Sequence, residues 1–556
     1  MRMGLLVFFL VFWVLGLCAL GLRGASISWT AMNDNQNYVK ECGFTRYPSL
    51  CFETLTRLGS ANQPVDIVLA LVNKTISETK LTTSNFAKFS SQFEAQELAE
   101  RAHYVTGYCE ELMNMSLKWL EQSMLALKDS PEKNKHDIQT WLSAALTFQQ
   151  ACKDSADSLS LSEEYFNIVQ NQISKKMDYL SQLGSNPLAL VNRITKTGTG
   201  KSKKSITFPK WVFTRDRKLV EAKANVIVAK DDSGNYKTVS EAIKAASGKR
   251  FVIYVKSGVY MEKIHTKKDG ITLIGDGKYS TIIIGDDCVA KGSSLAASAT
   301  FSQYFWHSFF PSVSLLLASI TGNGFIARDI GFHNTAGPQG EQALAVYIAS
   351  DHSVLFRCSI AGYQDSLYAV ALRQFYRECD IYGTIDFIFG NAVAVFQSCN
   401  LVLRRPQSGY YNVILANGRS DPGQNTGFSV QKCKIMVSSD FSAVKHSYNS
   451  YLGRPWKEYS RAVIMESTLD DAIAPRGWVE WPGAESSTLK NLYFAEYSNV
   501  GPGAGLSKRV QWSGYHVIGA DEAGKFTVSK FIAGTSWLPF TGIPFISGLD
   551  SEKKNL

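Results

Sequence analysis

The sequence predicts two units of different class, a helical bundle followed by a β-solenoid. Three observations carry that prediction. Before Leu190 apolar residues recur at helical spacing and strand-like runs are few. From about Asn225 onward short β-type runs dominate, punctuated by Gly and Asp. Within them a cysteine-bearing segment returns about every 20 residues. The 556 residues are 45% hydrophobic and 19% charged, which excludes a mainly disordered, collagen-like or small disulfide-scaffold chain. The net charge is +9. No DNA- or RNA-reading motif accompanies it, so no nucleic acid is expected as a partner. The excess suits an anionic partner such as an acidic polymer.

Taken in order, Met1-Arg2-Met3 precedes an apolar run from Gly4 to Leu22 and small residues at Gly24, Ala25 and Ser26. This reads as a signal peptide or signal anchor over residues 1–25. Either sends the rest of the chain into the secretory pathway, where disulfides form. An uncleaved anchor would be the chain's one contact with a membrane.

In the helical part, Met113, Leu117, Leu120, Met124 and Leu127 share one helix face, as do Ile138, Trp141, Ala145 and Phe148. These stripes predict a small bundle. Cys42, Cys51, Cys109 and Cys152 fall here, enough for two bridges whose pairing the spacing leaves open. Asn73-Lys74-Thr75 and Asn114-Met115-Ser116 are glycosylation acceptor triplets. Thr195 to Ser205 reads as a linker. The basic cluster from Arg215 to Val220 is a processing-protease site or a solvated charge run.

In the second part, runs such as Phe251–Val255, Ile271–Ile274 and Thr281–Ile284 read as strands. Four segments then share an aromatic or apolar run, a Cys, any residue, and Ile or Leu. Their cysteines are Cys358, Cys379, Cys399 and Cys433, the first three 21 and 20 residues apart. Stacked coils would turn them into a core ladder of small hydrophobes rather than a disulfide or a reactive thiol. With Cys288 they make five, so at least one stays unpaired. No metal-ligand spacing appears.

Seven residues beyond Cys358 lies Asp365, and seven beyond Cys379 lies Asp386. Equivalent places on adjacent coils would bring the two carboxyls to about the 4.8 Å strand spacing. Two like charges that close cannot both ionise easily, which separates a general acid from an ionised nucleophile. Gln364 adjoins Asp365, and Gln342 lies 22 residues earlier, one coil back. Two amides facing a reacting carbonyl could donate to an oxyanion. Asp386 would need a cation to hold it ionised, and Arg454 in Leu452–Trp456 is a candidate. Polar residues also stack in solenoid turns for structural reasons, so spacing alone leaves both roles open.

The segments Gly258–Glu262, Gly324–Pro338, Gly362–Tyr368, Tyr382–Asn391 and Leu452–Trp456 carry a family likeness. The chain resembles a plant pectin methylesterase made with an N-terminal inhibitor-like pro-region. The likeness covers roughly Asn225 to Leu549, which places an esterase domain over 221–549, and a weaker one to the pectin methylesterase inhibitor family covers about 38–180. It implies an all-β right-handed parallel β-helix behind an all-α four-helix bundle. The implied reaction is hydrolysis of galacturonate methyl esters in homogalacturonan, the pectin backbone, in the cell wall outside the cell. It implies that Asp386 is the nucleophile, Asp365 the proton donor and acceptor, Gln342 and Gln364 the oxyanion donors, and Arg454 the group that aims Asp386. Tyr368, Phe389, Trp456 and Trp478 match substrate-cleft aromatics, with Gln342 and Arg454 also touching substrate. The bridges implied are Cys42–Cys51 and Cys109–Cys152. Arg217-Lys218-Leu219-Val220 resembles the family's processing site, which usually ends in two leucines. The partners implied are pectin, a processing protease and inhibitor proteins; no metal or organic cofactor is implied.

The chain departs from the family pattern in two places. Ser366 stands where threonine is usual. Between Phe301 and Ser319 lie 17 extra residues, Ser302 to Ala318, without a charge. They read as translated intron sequence, with a surface loop near one end of the cleft as the alternative. Gln303, His307 and Pro311 argue against a membrane span there. The insert keeps open an inactive pectin-binding or inhibitor-type protein. A lyase would want a cationic base and an acidic calcium cluster, and a polygalacturonase acidic pairs at other spacings. The two glutamines beside two aspartates favour acyl transfer.

Overall fold

The computed structural model describes residues 36–58, 63–90, 96–157, 164–194, 223–291 and 321–550. The signal segment, the Arg217–Val220 joint and the 302–318 insert lie outside the described residues. The chain divides into two units, Met1–Gly200 and Lys201–Leu556.

The first unit is helical: α1 (Pro48–Leu58), α2 (Pro64–Ser90), α3 (Gln96–Asp129), α4 (Lys135–Asp157) and α5 (Glu164–Val191). Each of α2 to α5 packs on its chain neighbour and α5 returns to α2, closing a four-helix bundle. The apolar stripes explain it. Met113, Leu120, Leu127, Ile138, Ala145 and Phe148 are buried, and Leu117, Met124 and Trp141 pack against the core from its rim. Cys42 is bonded to Cys51 and Cys109 to Cys152. Asn73 and Asn114 are exposed, on α2 and α3 rather than on loops.

The second unit is three parallel sheets of eleven, eight and five strands, the coils of a parallel β-helix. One coil supplies a strand to each sheet, as in Arg373–Arg377, Asp380–Gly383 and Ile388–Gly390. The next repeats it with Val393–Gln397, Asn400–Leu403 and Asn412–Asn417. All 21 strand pairings given by residue register are parallel. Each strand therefore hides its bonds between neighbours, and the interior fills with Ile, Leu, Val and Phe.

The repeat has a structural cause. Arg357, Glu378, Ser398 and Lys432 each adopt φ between 51° and 55°, the left-handed region. Each stands just before Cys358, Cys379, Cys399 or Cys433, at the turn from the first sheet into the second. A left-handed residue there turns the chain out of the strand at a cost of about 1–2 kcal/mol. The small side chain that follows turns inward and stacks. All five cysteines of this unit are free and buried. Sγ of Cys379 donates to the Leu355 carbonyl at 3.3 Å, and that of Cys433 to Phe396 at 3.3 Å. Burial pushes the Cys358, Cys379 and Cys399 thiols well up, so the ladder is inert.

Candidate active site

The register sets the site. Tyr368 pairs with Phe389, Phe389 with Ala416, and Ala416 with Arg454, one row across four coils of the five-stranded sheet. Asp365 and Asp386 each lie three residues before their member of that row. They occupy equivalent corners on adjacent coils, and the Asp365 N–H donates to the Ile385 carbonyl at 3.0 Å. Both are left-handed, at φ 62° and 49°. The corner is tight. A β-carbon on Gly383 would fall 2.1 Å from Cβ of Phe387, so only glycine fits.

Arg454 grips Asp386. Its Nε donates to Oδ1 at 2.9 Å and its Nη2 to Oδ2 at 2.5 Å. Nη1 donates to the Tyr411 hydroxyl at 3.2 Å, and the guanidinium carbon sits 4.2 Å over the Trp481 ring. Asp365, Asp386 and Arg454 are all buried, each residue at most 9% exposed. Burial pushes Asp365 well above the usual carboxylate range, and the Asp386 charge pushes it further. Burial raises Asp386 too, but Arg454 opposes that by charge and hydrogen bonds. Burial and a neighbouring negative charge thus both favour the neutral form of Asp365, whereas Arg454 favours the charged form of Asp386.

Gln342 and Gln364 pair backbone to backbone on adjacent coils, and the Ala343 N–H donates to the Gln364 carbonyl at 3.2 Å. Both are half-buried, and their amides bond nothing among the described residues. The Ser366 hydroxyl donates to the Tyr382 carbonyl at 2.8 Å, a bond a threonine hydroxyl could make equally. Tyr368 and Phe389 stack at 4.3 Å, nearly covered, and the half-buried Trp456 stands edge-on to both at 6.4 and 6.0 Å.

Trp478 is placed differently from expectation. It is fully buried, stacks on Phe494 at 4.5 Å and donates its indole N–H to Glu496 at 3.2 Å. Its ring fills the space left by Gly453, whose β-carbon would lie 3.0 Å from Cζ3. It is a core residue behind Arg454 and cannot meet a sugar. Trp481, three residues on and half-buried, is the tryptophan that reaches the guanidinium. Tyr411 and Tyr347 were also missed by sequence. Tyr347 pairs with Tyr368 and lies 21 residues before it, so the coil period could have found it. Nothing in the sequence distinguishes Trp478 from Trp481.

Residues 225–535 match the family model described as Pectinesterase, and residues 37–190 match Plant invertase/pectin methylesterase inhibitor. A relative from Arabidopsis thaliana, "Probable pectinesterase/pectinesterase inhibitor 54", is 48% identical over 532 residues, 94% of each chain. "Pectinesterase 2" of Citrus sinensis is 40% identical over 534 residues, 94% of this chain and 97% of that one. The solved structure "Pectin methylesterase from Carrot" is 48% identical, with a TM-score of 0.54, over 59% of this chain and 98% of its own. The carboxylate pair on the β-helix and these matches agree: the chain belongs to the pectinesterase family, carboxylic ester hydrolases of methylated homogalacturonan, with an inhibitor-family domain at its N-terminal side.

Proposed function

We propose that the β-helix removes methyl groups from homogalacturonan through an aspartyl acyl-enzyme, with roles carried residue by residue. Asp386, kept ionised by Arg454, attacks the ester carbonyl carbon. The carbonyl oxygen gains the negative charge and accepts hydrogen bonds from the Gln342 and Gln364 amides. The tetrahedral centre collapses, the bond to the methoxy oxygen breaks, and Asp365 gives that oxygen its proton as methanol leaves. Asp386 is now joined to galacturonate as an anhydride. Asp365, ionised, takes a proton from water, whose oxygen attacks the galacturonyl carbon. The anhydride opens to a galacturonic acid carboxyl, which gives its proton to solvent, and to free Asp386 carboxylate. Trp456 and Trp481 offer part-exposed faces to sugar rings, with Tyr368 and Phe389 beneath.

The observation that carries this reading is the asymmetry of the pair. Arg454 sends three hydrogen bonds to Asp386, while burial and the Asp386 charge both favour the neutral form of Asp365. We further propose a secreted precursor bound for the cell wall: a signal or anchor over 1–25, an inhibitor-like domain over 38–180, and a linker over 195–220. Cleavage at Arg217–Val220 would release the esterase over 221–549, which separate inhibitor proteins could then meet. Two bridges in the helical unit fit an oxidising compartment. Methanol release by the secreted chain, with Asp386→Asn and Asp365→Asn beside it, tests the roles. Loss of methanol release in both variants, each still folding cooperatively, supports them; an active Asp386→Asn contradicts them.

A further inference from the structure

The structure assigns a positioning role to Arg404, a residue outside the acid–base group. The assignment rests on the acyl-enzyme reading above. Gly362 and Gly383 hold matching places on adjacent coils, each three residues before an aspartate, Asp365 or Asp386. Arg404 is tied to both glycines. Its backbone N–H donates to the Gly383 carbonyl at 2.9 Å. Its Nη1 donates to the Gly362 carbonyl at 3.0 Å. Its Nη2 donates to the Tyr363 hydroxyl at 2.7 Å, and the guanidinium carbon lies 3.7 Å over that ring's centre. Through its backbone and its half-buried side chain, one residue thus joins three successive coils at the corner that carries Gln364 and Asp365.

The chemistry of the contact asks for arginine. A planar fork can bond a carbonyl and a phenol while its face lies on a ring; a lysine ammonium is a point donor and cannot. No carboxylate is paired with Arg404 among the described residues, so the cation is not there for an ion pair. The corner needs holding. Asp365 sits at φ 62°, a conformation that costs about 1–3 kcal/mol and persists only where its surroundings fix it. Gln364 lies between the clamped Tyr363 and that strained residue, so a loosened corner would displace the oxyanion donor and the acid together. A shift of about 1 Å at such groups can cost roughly a hundredfold in rate.

The test is steady-state kinetics of the secreted full chain on methylated pectin, with Arg404→Lys and Arg404→Met. Expected is a fall in kcat of about ten- to a hundredfold for Arg404→Met, a smaller fall for Arg404→Lys, and KM within about twofold in both. Gln364→Ala supplies the background that separates positioning from general damage. If Arg404 acts through this corner, the share of its effect that runs through Gln364 is already gone in Gln364→Ala, so Arg404→Met costs less kcat there than in the wild type, the remainder being the displaced Asp365. Equal losses in the two backgrounds, or an unchanged kcat in Arg404→Met, would overturn the assignment. A wild-type chain that releases no methanol would overturn the acyl-enzyme reading itself, and Arg404 with it.

Discussion

A carboxyl stripped of water beside a second carboxylate holds its proton, and Asp365 is so placed. The linkage has a sign. Its folded pKa is raised, so the native state binds a proton that the unfolded chain gives up near pH 4. That group's stability is present in full below the unfolded value and is lost as pH rises through the folded one. Asp365→Asn removes the loss, so melting curves should show the variant more stable than wild type at pH 7, with the gap closing toward pH 4. An equal gap at both would mean that Asp365 is ionised when folded. Gln364→Ala should lower kcat by about a hundred- to a thousandfold with little change in stability, the scale of a lost oxyanion donor. Trp478→Ala should instead cost about 3–5 kcal/mol of unfolding free energy, read from denaturant curves. Trp481→Ala should leave stability nearly unchanged and raise KM.

At the scale of the element, the coil corner governs what sequence could reveal. A period near 20 exposed the cysteine ladder, and seven residues of offset placed Asp365 and Asp386 on adjacent coils. Both features are short-range: they follow from one turn geometry repeated. Arg454 was legible only as a candidate, because the contact crosses 68 residues and two further coils. The family resemblance puts Trp478 in the cleft, and nothing near it in sequence records the hollow at Gly453 that its ring fills. The turn predicts its own mutational profile. Glu378 sits at φ 54°, where β-branched residues are strongly disfavoured. Glu378→Val should destabilise the β-helix by about 1–3 kcal/mol, and Glu378→Asn much less. Calorimetry of the two variants checks this, and equal effects would contradict the corner account.

At the scale of the molecule, the two units are stabilised by different means. Both disulfides lie in the helical unit, while the β-helix holds five free buried thiols and a core running through its coils. Reduction should therefore lower the unfolding temperature of the bundle, at about 2–4 kcal/mol per bridge, and leave the β-helix transition in place. The charge of +9 is legible in the sequence and agrees with an acidic polymer as substrate, but it selects neither reaction nor site. We propose that the carboxylate pair with its glutamines selects the reaction, and that proposal is open to one direct measurement. Highly methylated pectin is treated with the secreted chain, and methanol and polymer length are followed together. The account predicts methanol with no shortening of the chain, whereas shortened polymer, or silence from a folded protein, would contradict it.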